Sequence, residues 1–234
     1  MGALRTFVRL ALIIAVVAGV YLWALRDRGW APIDRAIPQI DSGNMPMTIA
    51  VLGTSLTARG DWPDAVATAL GTCLNRRVTV QRFAEAGANS DWGRERIADV
   101  IAARPDLVLI EFAVNDADLR DGVSLPDSIL NHTAMLRDLG RDLPDARVAL
   151  MTTSPAFGLR GWLRPRLATY YASYGDVAAG AETGVIDLYA RWRELPEAKA
   201  LFPDGLHPDA AGATALIAPA VTEAIGKAAG RNCG

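Results

Sequence analysis

The chain is poor in the residues from which metal centres and thiol scaffolds are made: 234 residues include two histidines and two cysteines. Two histidines exclude a multi-histidine metal site. Two cysteines exclude a cysteine-rich framework or a four-thiolate zinc site, leaving one disulfide or two free thiols. Neither sign of charge is in excess. With 24 basic against 26 acidic side chains and a formal charge of −2, the basic footprint of phosphate neutralisation is missing, and nucleic acid is not an expected partner. Internal repeats and low-complexity tracts are absent as well. What is there, 51% hydrophobic and 21% charged residues, is the composition of a folded domain with a sizeable core. The length suits one domain of about 200 residues with an appendage.

The appendage is N-terminal. Arg5 and Arg9 accompany an apolar run from Phe7 to Leu25, broken only by Arg9 and ended by Arg26-Asp27-Arg28. A helix from Leu10 to Leu25 would rise roughly 24 Å, short of the ~30 Å hydrocarbon core unless the flanking arginines snorkel. The only small-residue break fit for signal cleavage follows Ala18, and Gly19 to Leu25 beyond it is still apolar. Residues 1–28 are therefore expected to be an uncleaved transmembrane anchor, with secretion after cleavage as the alternative. Basic residues tie on the two flanks, and the terminal amine tips the N-terminus toward the cytoplasm, which puts the rest in an extracytoplasmic, periplasm-type compartment. Residues 29–46, with Pro32, Pro38, Gly43 and Pro46 but no sustained period, are expected to be a linker to a domain spanning 47–234.

Within that domain short apolar runs alternate with longer helical patterns. Thr48–Leu52, Val78–Phe83, Leu107–Ala113, Arg147–Thr152 and Val185–Leu188 read as strands. Trp62–Leu74, Trp92–Ala103, Pro126–Leu139, Pro165–Ala179 and Pro208–Ala229 read as helices, several with proline near the start. Five alternations predict an α/β doubly wound parallel sheet, whose carboxyl edge is where chemistry is sought.

Four blocks fall at that edge. Gly53-Thr54-Ser55-Leu56-Thr57 follows the first strand, where a serine hydroxyl would be presented beside backbone N–H groups; a turn-capping serine is the plainer reading. Thr57 in place of glycine disfavours the Gly-x-Ser-x-Gly elbow. Ala86-Gly87-Ala88-Asn89 follows the second strand, and Gly87 lets a backbone N–H approach a ligand. The third strand stops at Asn115-Asp116, whose amide can donate as an oxyanion-hole group must. In Phe202-Pro203-Asp204-Gly205-Leu206-His207-Pro208, a carboxylate and an imidazole three residues apart can share a hydrogen bond, leaving Nε2 free to take a serine proton. His132, mid-helix and without a matched partner, reads as packed or solvated, and Glu111 and Asp116 as salt-bridging or capping.

In order and position these blocks resemble the SGNH hydrolases, the GDSL esterase/lipase family, over roughly Met47 to Ala229. The resemblance implies a flavodoxin-like three-layer α/β/α sandwich with a five-stranded parallel sheet. It implies Ser55 as nucleophile with Asp204 and His207 completing a triad, and the Ser55 and Gly87 N–H groups with Asn115 as the oxyanion hole. It requires no cofactor and no metal. Two departures stand out: Thr54 replaces the family's aspartate before the serine, and Ala113 its glycine before Asn115. The expected activity is hydrolysis of acyl esters, short-chain or O-acetyl esters of glycans or lipids. The alternatives are an O-acyltransferase of the same fold acting on envelope glycans, a lysophospholipase or thioesterase and, least favoured, a non-catalytic binding module. Arg160, Trp162 and Arg164 follow the fourth strand and are expected at the substrate rim, where they can grip an anionic substrate or lipid headgroups, a solvated loop being the plainer reading. In such a winding the helices beside Cys73 and Cys233 share a sheet face and finish at the edge opposite the site, so the thiols can pair; two free thiols are the alternative. Oligomeric state is not legible.

Overall fold

Five aliphatic segments form the strands β1 (Met47–Gly53), β2 (Val78–Ala84), β3 (Leu107–Glu111), β4 (Arg147–Thr152) and β5 (Gly184–Asp187). In the computed structural model, which describes residues 7, 9, 11–17, 30–40 and 45–234, they pair in parallel in the order β2-β1-β3-β4-β5. Alternate residues feed two cores, as a sheet covered on both faces requires. Met47, Ile49, Val51, Leu107 and Leu109 pack on one side; Leu52, Val108, Ile110 and Leu150 pack on the other.

The helices are α1 (Ser55–Ala58), α2 (Trp62–Leu74), α3 (Ser90–Ala103), α4 (Ala113–Asp116), α5 (Leu125–Asp142), α6 (Gly158–Trp162), α7 (Leu167–Gly180), α8 (Leu188–Glu194), α9 (Ala210–Gly212) and α10 (Ala218–Ala228), the last two joined by a π-helical turn, Ala213–Ile217. Residues of α2 and α10 join the first core and residues of α3, α5 and α7 the second, giving three layers. Cys73 at the end of α2 and Cys233 beyond α10 form a disulfide, with Cα atoms 5.6 Å apart.

Strand order reverses between β1 and β3. In open parallel sheets that switch point opens a crevice at the carboxyl edge, the usual place for a ligand. Ser55 leaves β1 and Asn115 leaves β3 on its two sides.

The observed structure differs from expectation most clearly in the end of the third strand and in residues 30–40. The third strand ends at Glu111 rather than Ala113, because the Tyr174 hydroxyl accepts the N–H groups of Phe112 and Ala113 at 3.1 and 3.0 Å and the chain turns into α4. Residues 30–40 are not an unpacked linker. Arg35 exchanges backbone hydrogen bonds with Val185 on the edge of β5, Ile37 and Ile40 are buried, and Asp187 accepts from Trp30 Nε1 and Ile33 N. This segment covers an edge that would otherwise present unpaired backbone groups. The expected anchor lies largely outside the described residues. Within it positions 7, 9 and 11–17 are helical and exposed, and among the described residues no helix is long and apolar enough to cross a membrane.

Candidate active site

Ser55 opens the short helix α1, and the turn before it is built on a buried carboxylate. Thr54 caps the helix by accepting from Leu56 N at 3.3 Å. Beneath it Glu111, at the end of β3, accepts from Thr54 N at 2.7 Å, from the Thr54 hydroxyl at 2.9 Å and from the Thr57 hydroxyl at 2.8 Å. Gly53 makes this approach feasible, because a Cβ there would stand 2.2 Å from Glu111 Oε1. Thr54 and Thr57, which depart from the family pattern or from the elbow, are thus the donors that Glu111 requires. Burial drives the Glu111 carboxyl up from an ordinary 4.5 to about 7, against the lowering effect of these hydrogen bonds.

That shift has a sign. Folded Glu111 keeps its proton between about pH 4.5 and 7, where an unfolded glutamate has released it. Its stabilising contribution is therefore full below pH 4.5 and lost as pH rises through 7. Burial moves Asp116 the same way and lowers His132 from 6.5, so the glutamate is isolated by difference. Between pH 4.5 and 8 the unfolding free energy of wild type is expected to fall relative to Glu111→Gln by a few kcal/mol. Urea titrations at each pH measure it, and a pH-independent difference contradicts it.

The Ser55 hydroxyl lies 2.8 Å from His207 Nε2, and His207 Nδ1 lies 2.7 Å from Asp204 Oδ2. The other Asp204 oxygen accepts from the N–H groups of Leu206 and His207 at 2.9 and 2.8 Å. Partial burial raises the Asp204 carboxyl, but these bonds and the imidazole outweigh it and hold the group at about 2, ionised at neutral pH. The loop bearing them is tied to the segment after β4: Phe157 N donates to Gly205 O at 2.7 Å and the Ser154 hydroxyl to Leu206 O at 2.8 Å. A hydroxyl, an imidazole and a carboxylate hydrogen-bonded in this order have the geometry that a proton relay requires.

The donors expected to face them are present at the same edge. Gly87 has φ +85 with open space where a Cβ would be, so the left-handed backbone is what calls for glycine. One Asn115 Nδ2 hydrogen is used by Ala88 O at 2.8 Å, and the amide oxygen accepts from Arg164 Nη2 at 3.4 Å, which fixes the orientation of the amide and leaves its second hydrogen free. Ser55, Gly87, Asn115, Leu206 and His207 line one cavity of about 250 Å³.

The expected rim divides. Arg160 lines this cavity, whereas Trp162, 69% exposed, lines a neighbouring one of about 950 Å³ with Tyr189 and Trp192. Arg164 borders both cavities but is buried beneath them, with Nε on Val114 O at 2.6 Å and Nη2 on Asp118 at 2.8 Å. It supports Asn115 from behind instead of projecting as a free rim cation. Support also comes from Tyr174, which sequence reading passed over, and from His132 and Asp116, buried in the packing and capping roles read for them. The Tyr174 hydroxyl that anchors α4 lies 2.9 Å from His132 Nε2, whose Nδ1 lies 2.7 Å from Ser128 O. Asp116 accepts from Ser90 N and the Ser128 hydroxyl at 2.8 and 2.6 Å. Arg59, which also lines the Ser55 cavity, carried no motif that could have singled it out.

Comparison with solved structures returns the same fold. A lipase/acylhydrolase from Enterococcus faecalis superposes with a TM-score of 0.70 at 24% identity, covering 80% of this chain and 98% of that one. An acetylxylan esterase from Geobacillus stearothermophilus gives 0.67 at 20% identity, covering 80% and 96%. No curated protein matches the sequence. The model of the GDSL-like lipase/acylhydrolase family matches residues 51–215, most of the domain and every edge block described above. The chain therefore belongs to the GDSL-like lipase/acylhydrolase family and is a hydrolase acting on ester bonds.

Proposed function

We propose that the protein hydrolyses short-chain or O-acetyl esters of glycans or lipids through an acyl-enzyme on Ser55. The observation that carries this reading is the relay from Ser55 Oγ through His207 to Asp204, at 2.8 and 2.7 Å. As Oγ bonds to the ester carbonyl carbon, Nε2 takes its proton, and Asp204 stabilises the imidazolium through Nδ1–H. The tetrahedral oxyanion accepts from Ser55 N–H, Gly87 N–H and the Asn115 amide. Collapse expels the alcohol, which takes the proton from Nε2. Water then repeats the sequence on the acyl-serine, giving the carboxylic acid and restoring Ser55.

The small cavity supports a short acyl group, since sites for drug-sized ligands run about 300–1,000 Å³. Likeness to an acetylxylan esterase supports acetyl and a sugar alcohol. Across 4-nitrophenyl esters from acetate to decanoate, kcat/KM is expected to peak at acetate or butyrate; a maximum at decanoate contradicts the short-chain reading.

On the same reading residues 1–28 anchor the domain outside the cytoplasm. The disulfide between Cys73 and Cys233 supports that placement, because such bonds persist in oxidising compartments. Alkylation without reductant, on protein taken from the membrane fraction, is expected to leave both cysteines unmodified. Two alkylated thiols contradict the placement.

A further inference from the structure

The cavity over Ser55 carries more positive charge than the chain around it. Four of its lining residues are arginines, Arg59, Arg120, Arg160 and Arg164, and two are aspartates, Asp118 and Asp121. Asp118 is already committed twice: it takes Arg164 Nη2 at 2.8 Å and Arg120 Nη2 at 2.8 Å, with Arg120 Nε a further 3.0 Å contact. Asp121 is exposed. Arg59, exposed at the end of the nucleophile's helix, and Arg160, half-buried in α6, have no ion pair among the described residues. Four cations against two anions give the lining a formal +2, in a chain whose formal charge is −2.

Guanidinium groups that border a concave site and have no internal partner are suited to planar, two-point recognition of carboxylate or phosphate. Unpaired like charges close together are otherwise unfavourable; burial lowers the proton affinity of Arg164 most, Asp118 raises it, and the nearby charges of Arg160 and Arg120 lower it further. A bound anion would relieve that repulsion. The two arginines come from different parts of the fold, one after β1 and one after β4, and both line the cavity that holds Ser55 and His207.

We propose that the cavity over Ser55 is a binding site for esters that carry a carboxylate or phosphate group, held by Arg59 and Arg160. This deepens the esterase reading by naming a substrate class, while anion binding itself requires no turnover. The test therefore has a binding arm and a kinetic arm, both on the full-length chain in nonionic detergent.

In the binding arm, Ser55→Ala protein is titrated calorimetrically with glycerol 3-phosphate against glycerol, and with glucuronate against glucose. At low salt at least one anion is expected to bind about tenfold more tightly than its neutral counterpart, and Arg59→Gln with Arg160→Gln to remove that preference. The better anion separates a phospholipid-type headgroup from an acidic glycan. In the kinetic arm, wild type is given the acetyl esters of the same four compounds, and the anionic-to-neutral ratio of kcat/KM is expected to follow the binding preference and to fall toward one in the double variant. Anion binding without hydrolysis supports the site and counts against the acyl-transfer reading alone. Equal binding of anion and neutral compound, or a preference that survives the double variant, overturns the proposal.

Discussion

Ser55→Ala is expected to lower kcat/KM for acetyl esters by about 10⁴-fold or more, with little change in stability. On the proposed mechanism the hydroxyl is the atom that bonds to the substrate carbon, so its loss removes the attacking group. Structurally it does little: its hydrogen bond is to His207, while the turn beneath is held by Thr54, Thr57 and Glu111. Because serine and imidazole act in one step, His207→Ala in the Ser55→Ala background is expected to cost almost nothing further. Initial rates on 4-nitrophenyl acetate and thermal melts on the single and double variants measure this. Additive losses contradict the shared step, and a collapsed melt would assign Ser55 a structural role instead.

Asn115→Ala is expected to lower kcat by about 10²–10³-fold with KM nearly constant, the signature of a donor used in the transition state. The substitution also frees Ala88 O, which Asn115 now satisfies at 2.8 Å, so stability is measured alongside. Asn115→Asp keeps the shape and an oxygen for Arg164 but removes both donors and adds negative charge where the oxyanion forms. It is expected to be at least as inactive as the alanine variant. A loss below about fivefold in both variants contradicts Asn115 as an oxyanion donor.

Why the edge blocks could be read from sequence is physical: each is a short local pattern in a fixed place. Aliphatic runs buried on both faces mark β1, β3 and β4, and Asp204 and His207 lie close enough in sequence to pair within one turn. What sequence hid depends on partners far along the chain. Glu111 looks like a strand-end acid until Thr54 and Thr57, more than 50 residues earlier, are brought over it. The early end of β3 depends on the Tyr174 hydroxyl, 62 residues away. Arg164 reads as a rim cation until Asp118 claims its charge, and residues 30–40 read as a linker until Asp187 supplies an acceptor for Trp30 and Ile33. Helix starts shifted by two residues for a local reason: Asn89 caps α3 through Trp92 N, and Asp209 caps α9 through Gly212 N.

The proposed covalent bond between Ser55 and substrate is open to active-site labelling. Wild-type protein is treated with a fluorophosphonate until esterase activity is lost, digested and mapped by mass spectrometry. One adduct per chain, on the peptide containing Ser55 and at that serine, is the predicted result, with no adduct in Ser55→Ala. Full labelling of Ser55 with hydrolysis retained, or inactivation with the adduct on another residue, would contradict it.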